Sequence, residues 1–206
     1  MRRSTVRLSV ALTCLLWAGC DSKYPLSEPG QSKPDASLAG VWRQKGENGD
    51  VSYYHVGLSG DKLPESVMQI VSVTHAKDGH LEDPGVMLMF PTVLGSTAYL
   101  NVVNIEGRLS PVTVEALQKN AWKALQFQAY FIFKYRVEGD TLLLWGMSEA
   151  AKKEAITSGK IKGEVPGKGK TGASRFTDTK ENLARFVVAA GDSLFEKEPL
   201  RLERVK

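Results

Sequence analysis

Residues 126–138, QFQAYFIFKYRVE, alternate so strictly that they exclude a helix. Phe127, Ala129, Phe131, Phe133, Tyr135 and Val137 fall on one face of an extended strand. Gln126, Gln128, Lys134, Arg136 and Glu138 fall on the other. Gly139-Asp140 and then TLLLWGM follow, so a two-residue loop opening on glycine joins two strands into a hairpin. Further strands are expected over 40–44, 51–59, 67–75, 86–93, 97–103 and 200–205, with Asp78-Gly79 as a second hairpin turn. Three helices punctuate them. Ser110-Pro111 offers a cap and a first-turn proline before Val114, Leu117, Ala121 and Leu125. Ser148 caps a short helix that Gly159 ends. Asp178 or Thr179 starts a third, whose Leu183, Phe186, Val187 and Ala190 share one face before Gly191. Residues 39–206 are one domain's worth of chain. The expected fold is a single strand-rich α+β domain: an antiparallel up-and-down barrel or half-barrel with about three helices packed on it.

The first nineteen residues do not belong to that domain. Arg2, Arg3 and Arg7 precede ten uncharged residues, Leu8 to Trp17, the layout of a secretory signal peptide and too short to cross ~30 Å of hydrocarbon. Loss of this leader changes the charge balance. The whole chain has 27 Lys and Arg against 23 Asp and Glu, but three of the arginines leave with the leader. What remains is close to neutral, which removes the compositional case for nucleic-acid binding. Cys14 and Cys20 are the two cysteines. With Cys14 in the leader, a cysteine protease, a redox dithiol and a Cys-zinc site all require Cys20 as a free thiol. Residues 21–38, with Pro25, Pro29, Pro34 and four serines, read as a flexible tether of about 23 Å r.m.s. reach.

Trp17-Ala18-Gly19-Cys20 resembles the lipobox of bacterial lipoproteins. The resemblance implies cleavage before Cys20 and fatty acylation of its sulfur with palmitate-type chains. The mature protein would then be a lipoprotein held on a cell membrane by its lipid anchor and facing the periplasm. Asp21 resembles the residue that retains such lipoproteins in the inner membrane of enteric bacteria, and other bacteria read later positions, so the outer membrane stays open. Leu38-Ala39-Gly40-Val41-Trp42 resembles the Gly-x-Trp opening strand of lipocalins and of bacterial lipocalin-like lipoproteins. Val137-Glu138-Gly139-Asp140-Thr141-Leu142 resembles the later Gly-Asp hairpin of the bacterial group. These two motifs imply a lipocalin-like barrel whose floor Trp42 closes.

Several stretches invite a chemical reading. Gly167, Gly169 and Gly172 have G-x-G-x-x-G spacing and Gly169-Lys170-Thr171 mimics the end of a P-loop. The earlier glycine such a loop needs is Glu164, and the helix waits until about residue 179, so the stretch reads as a basic surface loop. Its Lys160, Lys162, Lys168 and Lys170 have the charge to touch anionic headgroups. If Asp78-Gly79 is a two-residue turn, His75, His80 and Glu82 share a sheet face, a weak candidate for a divalent metal. Lys77 between them opposes that reading. His55, in VSYYHVG, is expected as a half-buried sheet residue, and Ser59 lacks the Gly-x-Ser-x-Gly elbow of a hydrolase.

GVMLMFPTVLG, residues 85–95, is apolar on both faces and either is sandwiched in the core or lines a cavity. Trp42, Met87, Met89, Phe131 and Trp145 are therefore the expected ligand or partner surface. The expected function is non-enzymatic binding of an apolar small molecule or an envelope protein, with no cofactor and no nucleic acid. A structural accessory lipoprotein with a filled barrel is the alternative, and an envelope hydrolase using His55 a third.

Overall fold

The computed structural model describes residues 21–58, 63–104, 130–167 and 172–206. The leader, Cys20, Ser59, Lys168, Lys170 and the helix expected over 110–125 lie outside the described residues. In chain order the strands are β1 (Gly40–Lys45), β2 (Val51–Leu58), β3 (Met68–His75), β4 (Gly85–Leu94), β5 (Thr97–Asn104), β6 (Phe131–Glu138) and β7 (Thr141–Gly146). Helix α1 (Glu149–Thr157), the short strands β8 (Gly163–Glu164) and β9 (Arg175–Phe176), helix α2 (Lys180–Ala190) and strand β10 (Leu200–Arg204) follow. Strands β1 to β7 and β10 form a closed eight-stranded barrel in which every pairing is antiparallel. All eight barrel strands coincide with segments expected as strands. Gly139 takes φ +57 in the two-residue β6–β7 turn, a conformation that glycine adopts without the Cβ penalty.

Because the barrel is a meander, its connections sort by end. The β2–β3, β4–β5 and β6–β7 connections lie at the end where β1 starts and β10 finishes. At the opposite rim β1, β3, β5 and β7 end and β2, β4, β6 and β10 begin. Two of the three expected helices are present among the described residues. Thr179 accepts from the Asn182 N–H and so caps α2 as anticipated.

The interior face is that of the alternation. Phe131, Phe133 and Tyr135 point inward with Trp42, Tyr54, Met68, Ile70, Met87, Met89, Leu100, Leu142, Leu144 and Leu202. The outer face of β4 to β7 is also apolar, and it is covered. Leu88, Phe90, Val103 and Tyr130 form one outer cluster. Tyr99, Ile132 and Met147 join Leu26, Phe176, Leu183, Val187 and Phe195 in another.

Part of that cover is the segment expected to be a tether. Residues 21–32 instead run across the outside of the barrel as a packed strap, and residues 36–38 turn in beneath the barrel. Tyr130 donates to the Ser22 carbonyl at 2.8 Å, the Leu26 N–H donates to Asn101 Oδ1 at 2.7 Å, and Ser66 Oγ donates to the Pro29 carbonyl at 2.5 Å. Pro29 opens a short 3-10 turn, Pro29–Gln31, within the strap, and Leu26, 3% exposed, fills the outer cluster. Apolar residues on the outward faces of β4 and β6 require a lid, and the nearest chain supplies it.

The strap is locked by a buried ion pair. Asp21 Oδ1 lies 2.6 Å from the Lys152 ammonium, and Asp21 Oδ2 accepts from the Ile132 N–H at 3.0 Å. Lys152 is also 3.2 Å from Glu149. Burial opposes charging of Lys152, but Asp21 and Glu149 outweigh it and hold the ammonium above the ordinary lysine range. Removing one partner strands the other charge in the interior. Lys152→Ala is therefore expected to cost about 3–5 kcal/mol in urea unfolding, whereas the double variant Asp21→Leu/Lys152→Met recovers most of the loss.

Candidate functional site

The barrel floor is built from both chain ends of the meander. A short 3-10 turn, Ala36–Leu38, precedes β1, and Asp35 caps it by accepting from the Ser37 N–H. Leu38 is fully buried and plugs the barrel. Trp42 donates from Nε1 to the Leu38 carbonyl at 2.8 Å. From β10, the Arg204 guanidinium lies over the Trp42 ring, 4.1 Å from its centroid. Its Nη1 donates to the Ala39 carbonyl at 2.6 Å and its Nη2 to the Ser37 carbonyl at 2.5 Å. Gly40 has φ +126, a backbone conformation that favours glycine, and a Cβ there would sit 2.7 Å from Arg204 Nη1 and push the guanidinium aside. Trp42 thus lies at the barrel floor, fully buried beneath the interior. Arg204 was not singled out from the sequence. The signal was present: Leu200, Leu202 and Arg204 share the inward face of LRLER.

Above the floor lies a cavity of about 40 Å³, walled by Leu38, Trp42, Met87, Met89, Phe133, Leu144 and their apolar neighbours. Trp42, Met87 and Met89 are brought together there. Phe131 faces the interior without reaching the cavity wall. Trp145 does not belong to it. Paired with Lys134 across β6 and β7, it faces outward, and the Lys134 ammonium sits 4.6 Å from its ring centroid. That side chain is an outer cover, because Leu142 and Leu144 take the inward places on β7.

Toward the opposite rim the interior turns polar on β1 to β3. Gln44, Ser52, Ser72 and Thr74 are buried. Their needs are met internally: Tyr54 donates from its hydroxyl to Gln44 Oε1 at 3.1 Å, and Ser52 and Thr74 share a hydrogen bond at 2.9 Å. The cavity is therefore an apolar space between a stacked Trp–Arg floor and a satisfied polar layer.

The other candidates come apart. The hairpin after β3 has Ala76 donating to His80 and a bridge between His75 and Leu81, while the Glu82 N–H donates to Thr74. This register is one residue away from the expected one, and such a slip sends alternate side chains to opposite faces. His75 stacks edge-on against Tyr53, and His80 meets Asp78 at 2.6 Å. Among the described residues no three metal-ligating side chains converge. His55 is exposed on the outer face of β2, opposite Val41 and Val71, rather than half-buried. After Gly172 the next described helix begins at Lys180.

Burial pushes the Tyr54 hydroxyl up to about 12, and raises Tyr130 and Tyr135 as well, the latter aided by its bond to Asp35. A tyrosine raised in the fold contributes its full stability below the unfolded value of about 10, and loses it as pH rises through the folded value. Lys152 acts in the same direction. Thermal midpoints are accordingly expected to hold level between pH 7 and 9 and to fall steeply above about pH 10. Tyr54→Phe makes that alkaline fall shallower. No protein-family model, no curated protein and no solved structure matches this chain.

Proposed function

We propose that this chain is a lipid-anchored protein of the bacterial cell envelope, a non-enzymatic barrel of the lipocalin kind that holds a small apolar ligand. The anchor is an acylated Cys20 exposed after removal of residues 1–19, and the protein faces the periplasm. Asp21 in second place favours the inner membrane. The observation that carries the ligand reading is the cavity: it lies inside a closed barrel, and its wall is apolar throughout. Water gains little from such a space, because a bound water needs two to four polar partners. An apolar guest needs none. Met87 and Met89 in the wall, with Met68 in the same cluster, are unbranched and adapt to irregular shapes.

The volume favours a second reading. Drug-sized ligands occupy about 300–1,000 Å³, far more than this cavity offers without rearrangement. A barrel so nearly filled also suits an accessory role in envelope assembly, with the outer surface meeting a protein partner.

Native mass spectrometry of the leaderless Cys20→Ser chain separates the two. Ligand binding predicts a co-purified apolar molecule, released by Met89→Trp, which fills the cavity at a cost of about 1–3 kcal/mol. Far-ultraviolet circular dichroism of the variant stays unchanged. A bare polypeptide mass from every preparation, with the barrel folded, rejects the ligand and leaves the accessory role.

A further inference from the structure

We propose that the barrel is held end-on against the bilayer, with the rim beside Tyr130 and α1 facing the phospholipid headgroups and the Trp42–Arg204 floor facing away. This rests on the reading of Cys20 as the acylated residue and adds an orientation to it. The observation is how firmly Asp21 is held. Asp21 is bonded at four points: its N–H donates to the Tyr130 carbonyl at 2.8 Å, and its carbonyl accepts from Phe176 at 2.9 Å. Its carboxylate accepts from the Ile132 N–H and pairs with Lys152. The residue that would carry the lipid is thus joined directly to one that belongs to the barrel wall. Consecutive Cα atoms are about 3.8 Å apart, so no flexible tether separates lipid from barrel.

Asp21 also lies at one end. Tyr130 and Ile132 are at the start of β6, on the rim opposite the floor. The eight residues of β6 span about 25 Å from there toward the β6–β7 turn. An anchor inserted at Cys20 therefore draws this rim, with α1 and the β8–β9 hairpin bridged to Ser22, onto the headgroups. Exposed Lys153, Lys160 and Lys162 lie on or beside these elements, but so do the carboxylates of Glu149, Glu154 and Glu164. With charges so mixed, the covalent attachment sets the orientation and net attraction does not.

The test uses the full chain, processed and acylated in bacteria, in phosphatidylcholine vesicles carrying a headgroup-linked nitroxide quencher. A fluorophore is placed on a single introduced thiol, Lys153→Cys near the anchor or Ser96→Cys in the β4–β5 turn at the floor end. The sulfur of Cys20 is blocked by its lipid. Quenching is expected to be severalfold greater at 153 than at 96. Fifteen Gly/Ser residues inserted between Cys20 and Asp21 add about 20 Å of reach and should bring the ratio near unity. Equal quenching at both sites of the uninserted chain, with acylation verified by intact mass, overturns the orientation while leaving the anchor in place. An unmodified Cys20 in the intact mass overturns both.

Discussion

Closure of β1 onto β10 is the constraint on which the rest of the molecule depends. A sheet of eight strands that stays open has two edges of unpaired backbone groups; a closed one has none. The seam that removes them is short, with Trp42 opposite Arg204 and Arg43 opposite Glu203. Side chains reinforce it on both surfaces. Inside, Arg204 stacks on Trp42 and reaches the Ser37 and Ala39 carbonyls. Outside, Arg43 meets Glu203 at 2.5 Å, an exposed pair whose own contribution is small. The Trp42 ring is fully buried while Arg204 stays partly exposed, and together they tie the 3-10 turn to the last strand.

A closed barrel with an apolar interior does not need an apolar exterior, yet β4 to β7 have one. That second hydrophobic surface explains the remaining architecture. The strap, α1, α2 and the β8–β9 hairpin all lie against it, and Asn101 shows how closely they are fitted. Fully buried between strap and sheet, its amide donates to Thr92 Oγ1 at 2.8 Å while its oxygen accepts from Leu26. The Asp21–Lys152 pair closes the same layer. A buried ion pair of this kind contributes more to a defined register than to net stability, because desolvation offsets much of the attraction. Here it ties Asp21 in the strap to α1.

The interior is a different environment. The apolar wall above the floor lacks the convergent charged groups that general acid–base or nucleophilic chemistry requires. Hydroxyl and amide groups on β1 to β3 are occupied with one another. The cavity wall between these layers is apolar, the feature on which the proposed binding of an apolar molecule rests.

Alternation determined β6, because a period of two leaves no other way to gather Phe131, Phe133 and Tyr135 on one side; β4, apolar on both faces, and β7, reached through the Gly139-Asp140 turn, needed further signals. Local chemistry likewise determined the Gly139-Asp140 turn and the Thr179 cap. What alternation does not carry is which face is inward when both are apolar, so Trp145 was assigned to the wrong one. Nor does composition distinguish a proline-rich tether from a proline-rich strap. That difference lies in partners such as Lys152, 131 residues from Asp21 along the chain, and Asn101, 75 residues from Leu26. The hairpin after β3 slipped by one residue for a related reason: a turn signal marks where a chain reverses, but the ladder on either side sets the register. Short-range signals settled the strands, and only the packed tertiary structure decided what lies inside, what lies outside and where the chain is bolted down.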